Sequence, residues 1–325
     1  MRRTELLARA EDLRSARTPY VLATVVRAQR PTSAKPGDSA LILADGTFDG
    51  FVGGTCAEST VRLQGLRLLE TGASTLLRIT PDPSAAGDRP APEAEGLIVV
   101  NNPCLSGGSL EIFLEAMIPA PLLYVYGDAP VARALQRIGA AAGYDMVTGS
   151  PDTMFELPPD TSALVVASHG HGEEMVLAAA LAAKVPYVAL VASRKRGDAV
   201  LAGVGADRDR VHSPAGIDVG AHTASDVAVS ILAEIIATRP APPPTTDRTA
   251  SMITVSGSDR PTDRPADTPS DPQVAIDPVC GMDVAVTPLA LQAEHGGSTY
   301  YFCGSGCKGA FTADPHRYLT GASRG

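Results

Sequence analysis

A proline-rich segment divides this chain and prevents it from folding around one continuous core. Residues 238–272 have the sequence TRPAPPPTTDRTASMITVSGSDRPTDRPADTPSDP, with eight prolines and no apolar periodicity. Such a segment cannot bury enough apolar surface to offset the entropy it would lose on ordering. The sequence therefore predicts a disordered linker over residues 239–273 and a separate module over residues 274–325.

The part before the linker is long enough for two domains, since the whole chain has 325 residues. Hydrophobic residues make up 44% of the chain and tryptophan is absent, so we expect aliphatic cores. Prolines at 119 and 121 mark a change in the hydrophobic pattern. We therefore predict one domain over residues 1–118 and another over residues 119–238.

The first domain shows strand patterns that surround one helical pattern. Strands are predicted in YVLATVVRA, in SALILADGTFDGFV around an Asp-Gly turn, and in GLIVVNN and SLEIFLEAM. Between them, AESTVRLQGLRLLETG has the apolar spacing of a helix that stops at Gly72. This mixture predicts an α+β domain.

The second domain alternates short apolar strands with helices. In chain order the patterns are LLYVYG, VARALQRIGAAAG, YDMVTG, ALVVAS, EEMVLAAALAAK, VPYVALVA and SDVAVSILAEIIATR. Regular alternation of this kind is typical of a parallel sheet with helices on both faces. The sequence thus predicts an α/β chain whose second domain is a Rossmann-like, doubly wound sheet.

Charge and cysteine content narrow the function classes. A formal net charge of -9 argues against nucleic-acid binding and for a small-molecule or protein partner. No apolar run of membrane-spanning length occurs, and the first residues are charged, which predicts a soluble cytoplasmic protein without membrane contact. Five cysteines, three of them in the last 46 residues, indicate reduced thiols rather than a disulfide framework.

Cys56 follows two glycines, Gly53 and Gly54, at the predicted start of a helix. Glycines allow the backbone to approach a ligand, and the helix N-terminus favours a thiolate. These features predict a reactive or ligand-binding cysteine, although a lone cysteine in a tight turn is more often a small buried residue.

A second glycine-rich loop favours the binding interpretation. Cys104 lies between two predicted strands, and Gly107 and Gly108 follow it. Two such cysteines in one domain predict a paired site for a soft ligand, such as a metal, a sulfur atom or a dithiolene. Neither belongs to a C-x-x-C pattern, so a zinc site is not indicated here.

Gly127 occupies the turn between a strand and a helix where dinucleotide-binding proteins hold a pyrophosphate. Only the ends of the G-x-G-x-x-A pattern are present, because Ala129 replaces the central glycine and Pro130 lacks an N–H donor. The sequence therefore favours a Rossmann-like fold without its dinucleotide.

Two further loops follow strands of the same predicted sheet. One contains His169, His171, Glu173 and Glu174, which would suit metal binding or proton transfer, or form an ordinary polar helix start. The other, residues 193–197, brings three cations to the sheet edge, where they would suit a phosphate or an exposed helix start. These cations are Arg194, Lys195 and Arg196.

Taken in order from Tyr20 to Ala237, these stretches resemble the xanthine dehydrogenase accessory protein family, XdhC/CoxI. The resemblance implies a maturation chaperone, not a catalyst, that carries the molybdenum cofactor as cargo to a molybdenum hydroxylase. That client would be a xanthine dehydrogenase or an aerobic carbon monoxide dehydrogenase. A sulfurtransferase and a second copy of the chain are further candidate partners. The family's cofactor site would correspond to the glycines and cysteines named above, together with Gly127 and the three cations.

The C-terminal stretches DPVCGMDVAVTP, STYYFCGSGCKGAF and DPHRYL resemble the YHS module, which is related to treble-clef metal-binding domains. Cys280, Cys303 and Cys307 have the spacing C-x22-C-x3-C, which predicts a site for Zn(II) or Cu(I). His295, Asp277 or water would complete the coordination. A module this small depends strongly on its metal for folding.

Two other functions remain open at the level of sequence. The second domain would suit an NAD(P)-dependent oxidoreductase if its altered turn still bound a dinucleotide. Alternatively, the C-terminal module would make the chain a copper or zinc binding or trafficking protein, with the front part as its scaffold.

Overall fold

The computed structural model describes residues 2–80, 96–101, 108–168, 170–239 and 272–319. They divide into two units, one of which combines Met1–Pro119 with Pro242–Gly325, while the other is Ala120–Ala241. The segment with the predicted linker lies almost wholly outside the described residues. The mixed α/β class that the sequence predicts is confirmed.

The first part of the first unit is a six-stranded sheet with two helices. Its elements are α1 (Arg3–Ser15), β1 (Tyr20–Gln29), β2 (Ser39–Leu43), β3 (Phe48–Gly50), α2 (Thr55–Thr71), β4 (Thr75–Thr80), β5 (Leu97–Asn101) and β6 (Ser109–Met117). The strand order is β3-β2-β1-β6-β4-β5, antiparallel except for the pair β4–β5.

Alternating side chains give this sheet two different faces. On one face Val21, Ile42 and Ile112 pack against Val61 and other apolar residues of α2. On the other face, a smaller cluster joins α1 to the sheet. The helix α1 has no counterpart among the sequence predictions, because its apolar residues are few and charged residues separate them.

The helix α2 determines where the candidate site lies. It begins after Gly54, two residues earlier than predicted, and its first turn contains Thr55 and Cys56. It ends at Gly72, which has a φ of +69° and donates its N–H to the carbonyl of Leu68 at 2.8 Å. A left-handed glycine cap of this kind is a common helix stop, so the predicted stop signal is correct.

The second unit contains a five-stranded parallel sheet. Its elements are β7 (Leu122–Tyr126), α3 (Pro130–Ala141), β8 (Asp145–Gly149), β9 (Thr161–Val166), α4 (Glu173–Ala182), β10 (Tyr187–Leu190), α5 (Arg194–Leu201), a short 3-10 helix (Ala206–Arg210), β11 (Val211–His212) and α6 (Ala224–Thr238). The order β11-β10-β9-β7-β8 places β7 and β9 side by side where the direction of winding reverses. Ligands of doubly wound folds bind at such switch points.

Helices cover both faces of this sheet, as the alternation of strands and helices predicts. Val125 and Val165 point to the face that α3 and α6 cover, whereas Tyr124 and Leu164 point to the face covered by α4. Because strands buried on both faces need continuous apolar sequence, the runs LLYVY and ALVV lack polar positions.

Residues 272–319 form a small module of two hairpins and two short helices. Its elements are β12 (Val274–Ile276), β13 (Asp283–Ala285), β14 (Leu291–His295), β15 (Ser298–Phe302), α7 (Ser305–Ala313) and α8 (Pro315–Leu319). The rings of Phe302 and Phe311 lie 5.2 Å apart at its centre, and both are fully buried. So small a core contributes little to the free energy of folding. A bound metal would therefore contribute a large share of it.

The module packs against α2 within the first unit. Leu63 and Leu66 of α2 form a buried cluster with Ala285 of β13. At the start of the helix, a Cβ added to Gly304 would lie 2.9 Å from the hydroxyl of Thr55, so the Thr55 side chain packs closely on the backbone of Gly304. Nothing in the sequence indicates this contact.

The helices of the described part of the chain are too short or too polar to cross a membrane.

Candidate functional site

Three cysteines and one aspartate of the module converge on a single point. The Sγ atoms of Cys280 and Cys303 lie 3.5 Å apart, and those of Cys303 and Cys307 lie 3.7 Å apart. One ligand atom from each of these residues and from Asp277 lies within 4.8 Å of all the others. Among the residues that the structure describes, this is the group of metal-ligating side chains close enough to share an ion. We call it the thiol cluster.

Local structure explains how these side chains meet. Cys280 lies in the turn after β12, Cys303 directly follows β15, and Cys307 lies in the first turn of α7. Asp277 ties the first two segments together, because its carboxylate accepts N–H bonds from Val279 at 2.9 Å and from Cys303 at 2.8 Å. The cluster is thus held by backbone contacts that do not require the thiols themselves.

Burial favours the protonated form of the thiols in this cluster when no cation is bound. Asp277 is fully buried, and within the described residues it has no ion pair. Burial raises the pKa of Cys303, and hydrogen bonding to Asp277 and Cys280 raises it further. Burial likewise raises the pKa of Cys307 to about 12. A bound cation would reverse this, because it stabilises thiolates and offsets the buried carboxylate.

The donor set fits a thiophilic cation. Four ligands arranged tetrahedrally at about 2.3 Å from a zinc ion place their sulfurs about 3.8 Å apart. The observed separations of 3.5 and 3.7 Å are close to that value. Thiolates favour Zn(II) or Cu(I) over harder cations, so Cys280, Cys303 and Cys307 would hold either one.

His295, the other protein group that the sequence offered as a fourth ligand, lies elsewhere. Its ring faces those of Phe311 and His316, with centroids 6.1 and 5.5 Å away. The carboxylate of Asp277 occupies the position beside the thiols instead.

The glycine-rich loop before α2 borders a cavity of about 170 Å³. Three site residues predicted from sequence, Gly54, Cys56 and Gly108, line this cavity together. Its remaining lining residues are Pro31, Thr32, Ser33, Thr55, Ala57, Ile79 and Leu110. The cavity therefore combines a thiol, two hydroxyl groups of the 31–33 loop and backbone exposed by glycine.

At two positions in these loops, Gly53 and Gly108, the backbone requires a glycine. Gly53 has a φ of +146°, in the region that favours glycine. A Cβ at Gly108 would lie 2.1 Å from the carbonyl oxygen of Pro31, which no side chain could tolerate. Cys104 and Gly107, the other predicted residues of this loop, lie outside the described residues.

Cys56 also packs against a buried group of the C-terminal module. Met282, Val284 and Cys303 form a buried group, and Cys56 contacts it from α2 while Cys280 and Cys307 contact it from the module. Cys56 therefore borders the glycine-lined cavity and packs against the buried group that contains Cys303.

In the second unit, Gly127 directly follows β7 and has a φ of +110°. A Cβ there would lie 2.3 Å from the carbonyl oxygen of Ala167, which follows β9. The N–H of Gly127 bonds the carbonyl of Gly149 at 2.8 Å, and that of Ala129 bonds the carbonyl of Ala167 at 3.3 Å. Gly127 is thus needed for the close approach of the two backbones. The N–H groups of Gly127 and Ala129 are already bonded to protein carbonyls.

The three predicted cations differ in their surroundings. Arg196 forms an ion pair with Glu173 at 2.6 Å, and Glu173 is 1% exposed. The same carboxylate accepts bonds from the N–H of Gly170 at 2.9 Å and the hydroxyl of Ser168 at 3.1 Å. Arg194 and Lys195, in contrast, lie exposed in the first turn of α5.

Burial and hydrogen bonding affect the pKa of Glu173 in opposite directions. Burial alone would raise it, but the bonds from Arg196, Gly170 and Ser168 together lower it below the usual value. The neighbouring His171 bonds the Ser168 carbonyl through Nδ1 at 3.1 Å, and His169 lies outside the described residues. This loop is therefore organised as a polar network around a carboxylate.

Sequence reasoning missed a second carboxylate network. Glu234 of α6 accepts bonds from the hydroxyl of Tyr187 and the N–H of Gly216, each at 2.7 Å, and contacts His212 at 2.9 Å. Burial and the contact with Glu234 raise the pKa of Tyr187. Because Glu234 occupies an ordinary helical position, no sequence signal distinguishes it.

Comparison with known families identifies three domains. The XdhC and CoxI family model matches residues 13–80, the XdhC Rossmann domain matches residues 123–235, and the YHS domain matches residues 275–322. The similarities to these families that the sequence indicates are thereby confirmed.

Similar curated proteins are distant in sequence. The chain is 25% identical over 270 residues to the "Molybdenum cofactor insertion chaperone PaoD" of Escherichia coli (strain K12), covering 67% of this chain and 83% of that protein. It is 25% identical over 263 residues to the "Uncharacterized protein YqeB" of the same strain, covering 71% and 46%. It is 24% identical over 152 residues to a probable xanthine dehydrogenase subunit from Bacillus subtilis (strain 168), covering 39% and 46%. The chain thus spans about half the length of the last two proteins.

Proposed function

Because the chain carries both domains of the XdhC and CoxI family and a YHS domain, we propose that it is a maturation chaperone. Its cargo is the molybdenum cofactor, and its client is a molybdenum hydroxylase of the xanthine dehydrogenase type. The names of two similar proteins support this cargo and this client. One is named as a molybdenum cofactor insertion chaperone, and the other as a probable subunit of xanthine dehydrogenase.

The observation that carries this proposal is the cavity at the start of α2. The cargo has a dithiolene that binds molybdenum through sulfur, and soft thiolates suit such a centre. Cys56 supplies a thiol at a helix N-terminus, while Gly54 and Gly108 keep the neighbouring backbone bare of side chains. A cavity of about 170 Å³ is small for a complete ligand of this kind, so it would take the sulfur-bearing end.

A phosphate-binding role for Arg194 and Lys195 stays a prediction from the sequence. Within the second unit, both lie exposed in the first turn of α5 after a parallel strand. Arg196 is already paired with Glu173 and would instead position this turn. Involvement of Cys104 and Gly107 stays a prediction from the sequence.

One structural feature weighs against an NAD(P)-dependent oxidoreductase. The turn after β7 bonds its N–H groups at Gly127 and Ala129 to protein carbonyls, and Pro130 has no N–H to offer. A pyrophosphate would find few donors there. A role in carrying the cofactor therefore agrees better with this turn than hydride transfer does.

The test is recovery of the cargo with the protein. Full-length protein purified from a cell that makes the molybdenum cofactor is expected to contain a pterin, detected by mass spectrometry. Cys56→Ser should lose most of it, because the thiol contact is removed. Ser59→Ala, one turn further along α2, is the matched control and should keep the wild-type amount.

Two results would contradict the proposal. One is wild-type protein without any pterin when the client enzyme in the same cell contains its cofactor. The other is binding of NADH or NADPH to the wild-type chain that Cys56→Ser leaves unchanged. A sulfurtransferase partner and a homodimer stay predictions, which affinity purification and analytical ultracentrifugation would check.

A further inference from the structure

One member of the thiol cluster is an oxygen ligand among sulfurs. Asp277 is fully buried, and one of its carboxylate oxygens lies within 4.8 Å of the Sγ atoms of the three module cysteines. Among the residues that the structure describes, Asp277 has no ion pair that would balance its charge. The carboxylate therefore lies within reach of a cation that the thiols hold.

Two hydrogen bonds hold this carboxylate in place without using all of its lone pairs. One oxygen accepts the N–H of Val279 at 2.9 Å, and the other accepts the N–H of Cys303 at 2.8 Å. A carboxylate oxygen has two lone pairs, so each oxygen keeps one for a cation. Carboxylates that bind metals are commonly oriented by such hydrogen bonds. Asp277 is thus positioned to bind a cation together with the thiols.

The charge of this ligand set suits one of the two cations that thiolates favour. Three thiolates and a carboxylate carry more negative charge than either cation neutralises, and the excess is one unit larger with Cu(I) than with Zn(II). Burying the larger excess costs more free energy.

The chemistry of the oxygen points in the same direction. Zinc sites accept carboxylate oxygens beside cysteine sulfurs, whereas Cu(I) is selected by soft sulfur ligands. A tetrahedral zinc ion that is bound by three thiolates also has one position left, which the carboxylate would fill.

We propose that Asp277 is the fourth ligand of the thiol cluster and makes this site selective for Zn(II) over Cu(I). The three thiolates alone would hold either cation, and the carboxylate discriminates between them. When zinc binds, the thiols give their protons to solvent and the four ligands displace waters of the hydrated ion, with no change of oxidation state. The assignment goes beyond the cargo role proposed above and does not depend on it.

The selectivity is measured by competition with metal chelators of known affinity. Full-length protein is titrated without oxygen, once with Zn(II) and once with Cu(I). Asp277→Asn removes the negative charge but keeps an oxygen that can accept one of the two N–H bonds. The affinity for Zn(II) should fall by at least about tenfold, whereas the affinity for Cu(I) should stay the same or rise.

Two controls make this result specific. Asp283→Asn is the same substitution at an exposed position of β13, and it should keep both affinities. His295→Gln removes the other protein group that the sequence offers as a ligand, whose ring faces Phe311 and His316, and it should also keep both affinities.

Three results of the titrations would overturn the proposal. An equal fall in both affinities of Asp277→Asn would assign the residue to the fold of the module alone. An unchanged affinity for Zn(II) in that variant would mean that water is the fourth ligand. A loss of zinc in His295→Gln would make the histidine the ligand instead.

X-ray absorption by the zinc-loaded wild-type protein gives a test that requires no variant to fold. The expected first shell has three sulfurs at about 2.3 Å and one oxygen at about 2.0 Å from zinc. A fourth sulfur or an imidazole nitrogen in that shell would overturn the assignment. Since neither experiment involves a pterin, failure here would leave the cargo proposal to its own test.

Discussion

The thiol cluster and the network around Glu173 both contain a buried carboxylate, but they balance its charge differently. Glu173 lies 2.6 Å from Arg196 and accepts two further hydrogen bonds, so its charge is compensated within the protein. Asp277 accepts two backbone N–H bonds, has no ion pair among the described residues, and lies beside three thiols. We therefore expect a cation at the thiol cluster and none at the Glu173 network.

This difference separates a structural polar network from a ligand site. Burying a charge is costly unless it is paired or coordinates a metal. Where an arginine supplies the pairing, nothing further is needed for stability. Where thiols surround the carboxylate, we expect a metal ion to supply the pairing. Substitutions that change the charge balance at either site test this distinction.

The largest effect is expected from Cys303→Ser, which removes the central sulfur of the cluster. Bound zinc should fall from one ion per chain to almost none, because a neutral hydroxyl is a poor ligand beside two thiols. Metal analysis after gel filtration measures this. Ser298→Ala, at an exposed position of the same module, should keep its zinc. Retention of zinc in Cys303→Ser would show that the cluster is not the metal site.

Gly127→Ala should reduce the free energy of unfolding of the second unit by about 3 kcal/mol, because of the left-handed backbone and the clash with Ala167. Gly143→Ala is a matched control, since Gly143 has a φ of +84° and open space around it. It should cost only about 1 kcal/mol. Urea denaturation measures both. If both substitutions reduce the free energy of unfolding equally, the turn at Gly127 can relax and could then accommodate a ligand.

Glu173→Gln should cost about 2 kcal/mol of stability, because Arg196 loses its charged partner but is partly solvated, with 35% of its side chain exposed. The adjacent Glu174 is exposed, so Glu174→Gln should change stability by less than about 0.5 kcal/mol. The same denaturation experiment compares them. If Glu173→Gln leaves the free energy of unfolding unchanged, the network has no structural role.

The smallest effect concerns pH. The pKa of Glu173 is lowered on folding despite its burial, so its charge adds stability above the unfolded pKa of about 4.3. This contribution disappears as pH falls through the lower folded pKa. The stability difference between wild type and Glu173→Gln should therefore be constant from pH 7 to about pH 5 and shrink below pH 4.3. Denaturation at several pH values checks this, and a difference that grows on acidification would contradict it.

Local patterns predicted much of the fold. Runs such as LLYVY and ALVV became the central parallel strands, and Gly72 ended its helix as expected. The helix α1 was not predicted, because its apolar side is narrow and its contacts with the sheet are tertiary. Among site residues, Gly54, Cys56 and Gly108 were named from sequence and line one cavity.

The sequence could not show which charged residues pair with each other. Arg196 looked equivalent to Arg194 and Lys195, yet it alone of these three bonds the buried Glu173 in the described structure. No sequence pattern marked Glu234 of α6, because its partners Tyr187 and His212 come from the strands β10 and β11. Such pairings depend on how distant elements pack.

By itself, the sequence determined the order of domains, the parallel sheet and the spacing of the module cysteines. Each of these depends on residues close together in the chain, where periodicity and turn chemistry act directly. Only the tertiary structure placed Cys56 against the buried group of Met282, Val284 and Cys303, because that contact requires two folded parts to pack through Leu63, Leu66 and Ala285. Burial of these small apolar surfaces, which no local pattern encodes, brings Cys56 to residues of the module that lie far from it in sequence.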